Sequence, residues 1–269
     1  MSRIVVFGAG GRAGRRVVAE AARRGHEVTA VVRTPDRHPD LAGEWARNPG
    51  RHPEPAGEQV REPGRHPEPD GGQVRESSWR PEPGVERVRV TGRYPDVDGG
   101  RVRVVAGDVT DAGSVAEAAA GHDVAVQVAA RLDVPARDFF PAAARALVDG
   151  LAGAGVSRLV ALGIGSLLEV APGVRLVDTP GFPADARTFS LGHAAELEVF
   201  EGSALDWVVI APPPVILDAE SPGTGRYRVG GNRVPAEGGA AFSYADVARA
   251  IVDEAERPAH HRVQVAVFT

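Results

Sequence analysis

Short apolar strands that alternate with helix-length segments predict an α/β fold, a doubly wound parallel sheet between two layers of helices. Two further observations point the same way. A cluster of glycines stands between the first apolar run and the first helical segment, and the 269 residues are enough for one large domain with a sizeable core.

Taken in order, "IVVF" at residues 4–7 is apolar throughout, as expected of a strand buried on both faces. Across residues 12–24, Ala13, Val17, Val18, Ala21 and Ala22 recur at the spacing of one helix face, and Gly25 ends that helix. "EVTAVV" is the second strand. The alternation resumes with "VRVVAG" from Val102, a helix near residues 111–120, "DVAVQVAA" from Asp123 and a longer helix near residues 138–154. "RLVALG" from Arg158 and "DWVVIAPP" from Asp206 add two strands, with a helix at residues 193–201 between them. Towards the C-terminus, "GRYRVGGNRVP" reads as a hairpin around Gly230 and Gly231, "SYADVARAIVDEAERP" as a serine-capped helix and "RVQVAVF" as a final strand. The whole describes one Rossmann-like domain, residues 1–269, with a small C-terminal elaboration.

One stretch interrupts this pattern. "GRHPEPAGEQVREP" is followed at once by "GRHPEPDGGQVRES", and residues 36–49, 78–91 and 92–105 are weaker copies in the same register. Proline holds the fourth position of all five units (Pro39, Pro53, Pro67, Pro81, Pro95) and arginine the twelfth (Arg47, Arg61, Arg75, Arg89, Arg103). The first unit contains "LAGEWARN", a short helix after the second strand, and the last runs into the third strand. Residues 50–91 are therefore an insertion within one crossover. Regular prolines block long helices and few apolar residues are available to bury, so a mobile, loop-like excursion is expected. Because loop closure costs only roughly 0.6 kcal/mol per doubling of length, the fold tolerates it.

Composition excludes several function classes. A net charge of -5 with interspersed signs offers no footprint for nucleic acid. Cysteine is absent, which removes disulfides, thiolate metal sites and cysteine nucleophiles. His122, His260 and His261 have no third partner at metal-ligand spacing, so they are assigned to the surface and no metal is expected. No apolar run approaches the ~20 residues of a membrane span, and "MSRIVVFGAG" lacks the zones of a signal peptide. A cytoplasmic protein without membrane attachment is expected, monomer and dimer both remaining open. Lysine is also absent, so all 31 basic residues are arginine.

Gly8, Gly10, Gly11 and Gly14 fall between the first strand and the first helix. There, glycine permits a tight turn and close backbone approach to a pyrophosphate, which the amides of the helix N-terminus, near Arg12 and Ala13, can bind. Sites that prefer NAD place an acid at the end of the second strand to accept from the ribose 2′-hydroxyl. This chain has Arg33 there, which together with Arg12 argues for NADP(H) over NAD(H). "GDVTD" follows the third strand at the edge where ligands of such sheets bind. Asp108 and Val109 are candidates to border the adenine, or Thr110 or Asp111 caps the next helix.

"GAGGRAG", "GHEVTAVVR", "GDVTD" and "FSYADVA" resemble the atypical short-chain dehydrogenase/reductase families that bind NAD(P)H. "LGIGSLLEVAPGVRLVDTPGFP", "LDWVVIAPPPVI" and "GTGRYRVGG" are similar to the NADH-flavin reductase group, related to biliverdin reductase B and NmrA-like proteins. The likeness covers nearly everything outside about residues 36–100. It implies hydride transfer to a small-molecule acceptor of flavin or quinone type, with Ser166 beside the nicotinamide and backbone at Pro212 and Pro213 touching its amide. Ala129, after the fourth strand, completes the cofactor-binding set. Ser166 then bonds substrate or cofactor, or serves as a turn serine; His193 orients an acceptor in the substrate mouth, or is a solvent-facing helix residue. Residues 167–191, loop-rich with three prolines, read as a lid.

The sequence departs from ordinary short-chain dehydrogenases in one respect. Their tyrosine is activated by a lysine four residues later, whereas Tyr94, Tyr227 and Tyr244 are followed there by Asp98, Gly231 and Ala248. Flavin or quinone reduction needs no such relay, because the second proton comes from water. With 5% aromatic residues there is little to stack on a resident flavin, which would be a substrate. A non-catalytic NADP(H)-sensing regulator, or an epimerase of the same superfamily, is the alternative.

Overall fold

The computed structural model describes residues 1–42, 102–215, 217–235 and 242–269. The tandem repeats at residues 50–91, and all but the first two residues of "LAGEWARN", lie outside the described residues.

In chain order the elements are β1 (Arg3–Phe7), α1 (Arg12–Arg23), β2 (Glu27–Val32), β3 (Val102–Ala106), α2 (Ala112–Ala119), β4 (Val124–Gln127), α3 (Ala136–Ala154), β5 (Arg158–Leu162), the short strands β6 (Glu169–Ala171) and β7 (Val174–Arg175), α4 (Ala184–Glu201), β8 (Asp206–Ala211), β9 (Leu217–Asp218), β10 (Arg228–Val229), β11 (Phe242–Ser243), α5 (Tyr244–Glu256) and β12 (Val263–Phe268). Short 3₁₀ turns occupy Pro35–Arg37, Pro39–Ala42, Gly165–Leu167 and Leu176–Asp178.

The main sheet has the order β3-β2-β1-β4-β5-β8-β12-β10. Every pair is parallel except β10 with β12. The predicted α/β, Rossmann-like sheet is therefore the observed one. Each central strand is mostly apolar because it is covered on both faces. Ile4 and Val6 of β1 face Val17 and Val18 of α1 and Val247 and Ile251 of α5. Val5 and Phe7 face the other way, onto Val115 of α2 and Phe140, Leu147 and Leu151 of α3. Burying such side chains contributes about 1.5–3 kcal/mol each.

Two elements differ from the sequence-based expectation. "GRYRVGGNRVP" does not fold on itself: Arg228 and Val229 extend the main sheet antiparallel to Phe268 and Val267, and beyond them Glu169 exchanges backbone hydrogen bonds with Asn232 and Val234. The unpaired edge of β12 outcompetes a local hairpin. The helix expected at residues 193–201 starts nine residues earlier, at Ala184 after Pro183. Gly192 reads as a helix breaker but lies mid-helix, where a Cβ would run into Ala136 of α3. Its absence of a side chain serves helix packing. The last third of the expected lid, from Ala184, is thus the start of α4, and the β6–β7 hairpin lies in the part before it.

The C-terminal end of α1 is clasped to α5 by charge. Arg24 donates to Asp253 at 2.5 Å and Glu256 at 2.8 Å across the interface, and to Glu20 at 2.8 Å within its own helix. His26 accepts from the Ser2 amide through Nδ1 at 3.1 Å, so Nε2 carries the proton it donates to Glu256 at 2.7 Å. The histidines assigned to the surface are bonded as well: His260 to Glu254 at 2.6 Å, His261 to Asp206 at 2.8 Å and His122 to Thr29 at 2.8 Å. Among the described residues, no helix is long and apolar enough to cross a membrane, and no group of three His, Cys, Asp or Glu side chains could hold a metal ion.

Glu20 makes this clasp testable. Burial pushes its carboxyl up, but hydrogen bonds from Arg23 and Arg24 outweigh that and bring it from 4.5 down to about 2. A carboxylate with a depressed folded pKa contributes stability that is full above the unfolded value and is lost as pH falls through the folded one. Glu20→Gln should lower the urea midpoint at pH 7 and weaken the decline of stability between pH 4.5 and 2. An acid limb identical to wild type would refute the assignment.

Candidate functional site

Four loops meet where the sheet changes direction, at the carboxyl ends of β1 to β4. Ligands of open α/β sheets bind at such a switch point. After Phe7 the chain turns through Gly8, whose φ of 84° lies in the left-handed region. A Cβ on Gly8 would run into the backbone of Ala129, and one on Gly14 would overlap the Gly8 carbonyl. The Gly11 amide donates to the Gly8 carbonyl at 3.1 Å and closes the turn. Gly11 caps α1 without a side chain, and the first turn carries no acid. The amides and positive dipole end of α1 are therefore presented without a built-in anion.

A cleft of about 280 Å³ lies in front of this turn. Of the residues picked from the sequence, Gly8, Gly10, Gly11, Arg33, Asp108, Val109 and Ala129 line it. Arg12 is exposed at the start of α1, while Ala13 and Gly14 are buried behind the turn. Asp108 accepts from the Thr110 amide at 2.9 Å, and Asp111 caps α2 by accepting from Ser114 N at 2.6 Å. Of the two readings of "GDVTD", the structure shows the helix cap, made by Asp111, while Asp108 and Val109 stand in the cleft wall.

Ser166, Pro212 and Pro213 form a second group, after β5 and β8. Gly165 packs so closely on the backbone of Pro212, Pro213 and Pro214 that a Cβ there would overlap it. Ser166 is buried, with Oγ 2.7 Å from Ser190 Oγ, and Ser190 gives its own proton to the Ala186 carbonyl at 2.7 Å. The Ser166 hydroxyl therefore donates to Ser190, towards α4. His193 is not at a helix start in the mouth. It is buried in the α3–α4 interface, 3.8 Å from the Phe140 ring and 5.2 Å from Phe189, with Nδ1 2.9 Å from Glu196.

Among the cleft residues that the sequence reading did not pick are His38, Arg131 and Phe139. Arg131 is held by Asp133, at 3.0 Å through Nε and 2.5 Å through Nη2, and this pairing holds the Asp133 carboxyl down to about 2. His38 follows the 3₁₀ turn Pro35–Arg37 and lies over Gly10. Burial, Arg15 and Arg37 lower its pKa. A signal for it existed, since "RHP" at residues 37–39 recurs at 51–53 and 65–67, but the recurrence drew attention to the repeat rather than to its first copy. Tyr227 donates to Asp253 at 2.5 Å, and burial together with that carboxylate pushes its pKa up, the reverse of an activated tyrosine.

Comparison with known proteins places this geometry. The model of a family described as NAD(P)H-binding matches residues 8–47 and 85–258. The uncharacterized protein YwnB of Bacillus subtilis (strain 168) is 33% identical over 132 residues, 47% of this chain and 62% of that relative's length. The chain thus matches less than two thirds of that curated relative. A Burkholderia pseudomallei protein, provisionally named an exported protein, has a solved structure that superposes with a TM-score of 0.70 at 30% identity, over 100% of both chains. A Streptococcus pneumoniae TIGR4 protein, provisionally named an NADH-flavin reductase, superposes with a TM-score of 0.67 at 20% identity, over 100% of this chain and 99% of its own. At that identity the likeness is one of fold.

The glycine turn predicts a graded response. Gly8→Ala combines an unfavourable φ with a backbone collision and should lose about 1–3 kcal/mol of stability. Gly10→Ala meets no backbone, only the His38 ring, whose displacement from Arg15 should cost less, about 0.5–1 kcal/mol. Urea unfolding of the two variants measures this, and equal losses would contradict it.

Proposed function

We propose that this chain, which belongs to the NAD(P)H-binding family, is an NADP(H)-dependent reductase that passes hydride to a flavin, quinone or similar planar acceptor. The observation that carries the cofactor half is the cleft itself, a glycine turn with no room for a Cβ at Gly8 or Gly14, an uncapped helix N-terminus, and Arg33 where NAD sites carry an acid. The amides at Arg12 and Ala13 would hold the pyrophosphate, and Arg33, with Arg12, the ribose 2′-phosphate. When bound, the nicotinamide ring supplies the hydride. The backbone at Pro212 and Pro213, with the 3₁₀ turn bearing Ser166, would orient that ring from the β5–β8 side.

The acceptor half rests on how the candidate proton donors among the described residues are engaged. The chain has no lysine, Tyr227 is committed to Asp253, and neither Ser166 nor His193 has a proton free for a substrate oxygen in this geometry. An acceptor that draws its proton from water suits such a site, whose work is to bring two rings together and exclude side reactions. The same observation favours a second reading, a regulator that binds NADP(H) without turning it over.

Oxidation of NADPH with a panel of flavins and quinones separates the two. A reductase gives acceptor-dependent turnover, NADPH preferred to NADH, and a preference that Arg33→Asp shifts by about tenfold towards NADH. Tight NADPH binding with no turnover for any acceptor would replace the reductase by the sensor.

A further inference from the structure

We propose that His38 is a cofactor-recognition residue, whose Nε2–H donates to the ribose 2′-phosphate and adds to the selection of NADPH over NADH. The proposal rests on the cofactor reading above and goes beyond it in naming a neutral donor, outside the strand-end arginine, that reads the same group.

The tautomer follows from the neighbours. Arg15 Nη2 lies 3.1 Å from His38 Nδ1, and Arg15 Nε donates to the Gly10 carbonyl at 2.9 Å. A guanidinium has donors only, so Nδ1 accepts and the neutral ring carries its proton on Nε2. Protonating Nδ1 would break that bond and set a cation against Arg15 and Arg37, and the lowered pKa of His38 agrees. Nε2 and Cε1 are the ring atoms over the glycine turn, each 2.6 Å from where a Cβ on Gly10 would stand. Among the described residues, none accepts a hydrogen bond from Nε2.

The position selects the ligand group. His38 and Arg33 both follow β2 and both line the cleft, on the side where the adenosine ribose lies in sites of this architecture. The pyrophosphate belongs instead to the N-terminus of α1. Phosphate oxygens accept from a neutral N–H, and a hydrogen bond to a charged acceptor is the strong kind. Arg15 acts through His38 as a positioning residue, since one guanidinium fixes both the ring and the carbonyl of the turn beneath it.

Equilibrium titration of the full chain with NADPH and with NADH tests this. His38→Ala should weaken NADPH about tenfold and leave NADH within about twofold, because one charge-assisted hydrogen bond is lost from one ligand alone. His38→Gln, which returns an N–H donor near Nε2, should recover most of the NADPH affinity and covers the case in which the alanine variant folds poorly. Equal losses for the two cofactors, or no loss for NADPH, would overturn the role of His38 while leaving the cofactor site in place. A wild-type chain that binds neither cofactor would overturn the site and this proposal together.

Discussion

The close approach of β1 to β4 at their carboxyl ends is the constraint from which the rest of the cleft follows. Parallel pairing of Ile4–Phe7 with Val124–Gln127 brings Ala129 onto Gly8, and only a residue without a Cβ and with φ near 84° can turn there. That turn sends α1 back across the face of the sheet with its amino end at the switch point, and Gly14 lets the first helical turn settle on the Gly8 carbonyl. Burial of both faces of β1 holds the arrangement rigid, since Ile4, Val5 and Val6 are inaccessible to solvent. The cleft therefore sits at the end of a buried central strand and is bordered by the loops after β2, β3 and β4.

Charge is distributed according to the same division. At the amino-terminal side of the sheet, arginines are paired: Arg158 is buried against Glu254 at 2.9 Å and Asp206 at 3.1 Å, and Arg24 joins three carboxylates. Around the cleft, Arg33 and Arg12 are exposed beside the uncapped helix end. Paired arginines and exposed ones have the same residue type and are told apart only by their surroundings. With lysine absent, the protein also lacks the one basic side chain whose proton is readily moved near neutral pH by burial.

The strands and the glycine turn were legible because their signals are local. A strand buried on both faces is an unbroken apolar run, and a glycine cluster between strand and helix has few other uses. The resemblance to NAD(P)H-binding proteins, drawn from the motifs that include this turn, holds at the level of the family. What was not legible depends on partners distant in sequence. The start of α4 at Ala184 is hidden until Gly192 is seen packed on Ala136, Arg228 and Val229 signal a hairpin until they are seen paired with β12, and His193 signals a mouth residue until Phe140 covers it. His38 was hidden for a different reason: it is the third residue of the first repeat unit, so a pattern that extends into residues outside the described ones obscured a residue of the cleft.

The central claim is that the β1–α1 turn and the loop after β2 together hold one dinucleotide. A crystal structure of the complex with NADPH tests it most directly. The account predicts the pyrophosphate on the amides at the start of α1 and the 2′-phosphate beside Arg33. A cofactor seated elsewhere, or one whose adenosine ribose turns away from β2, would contradict it.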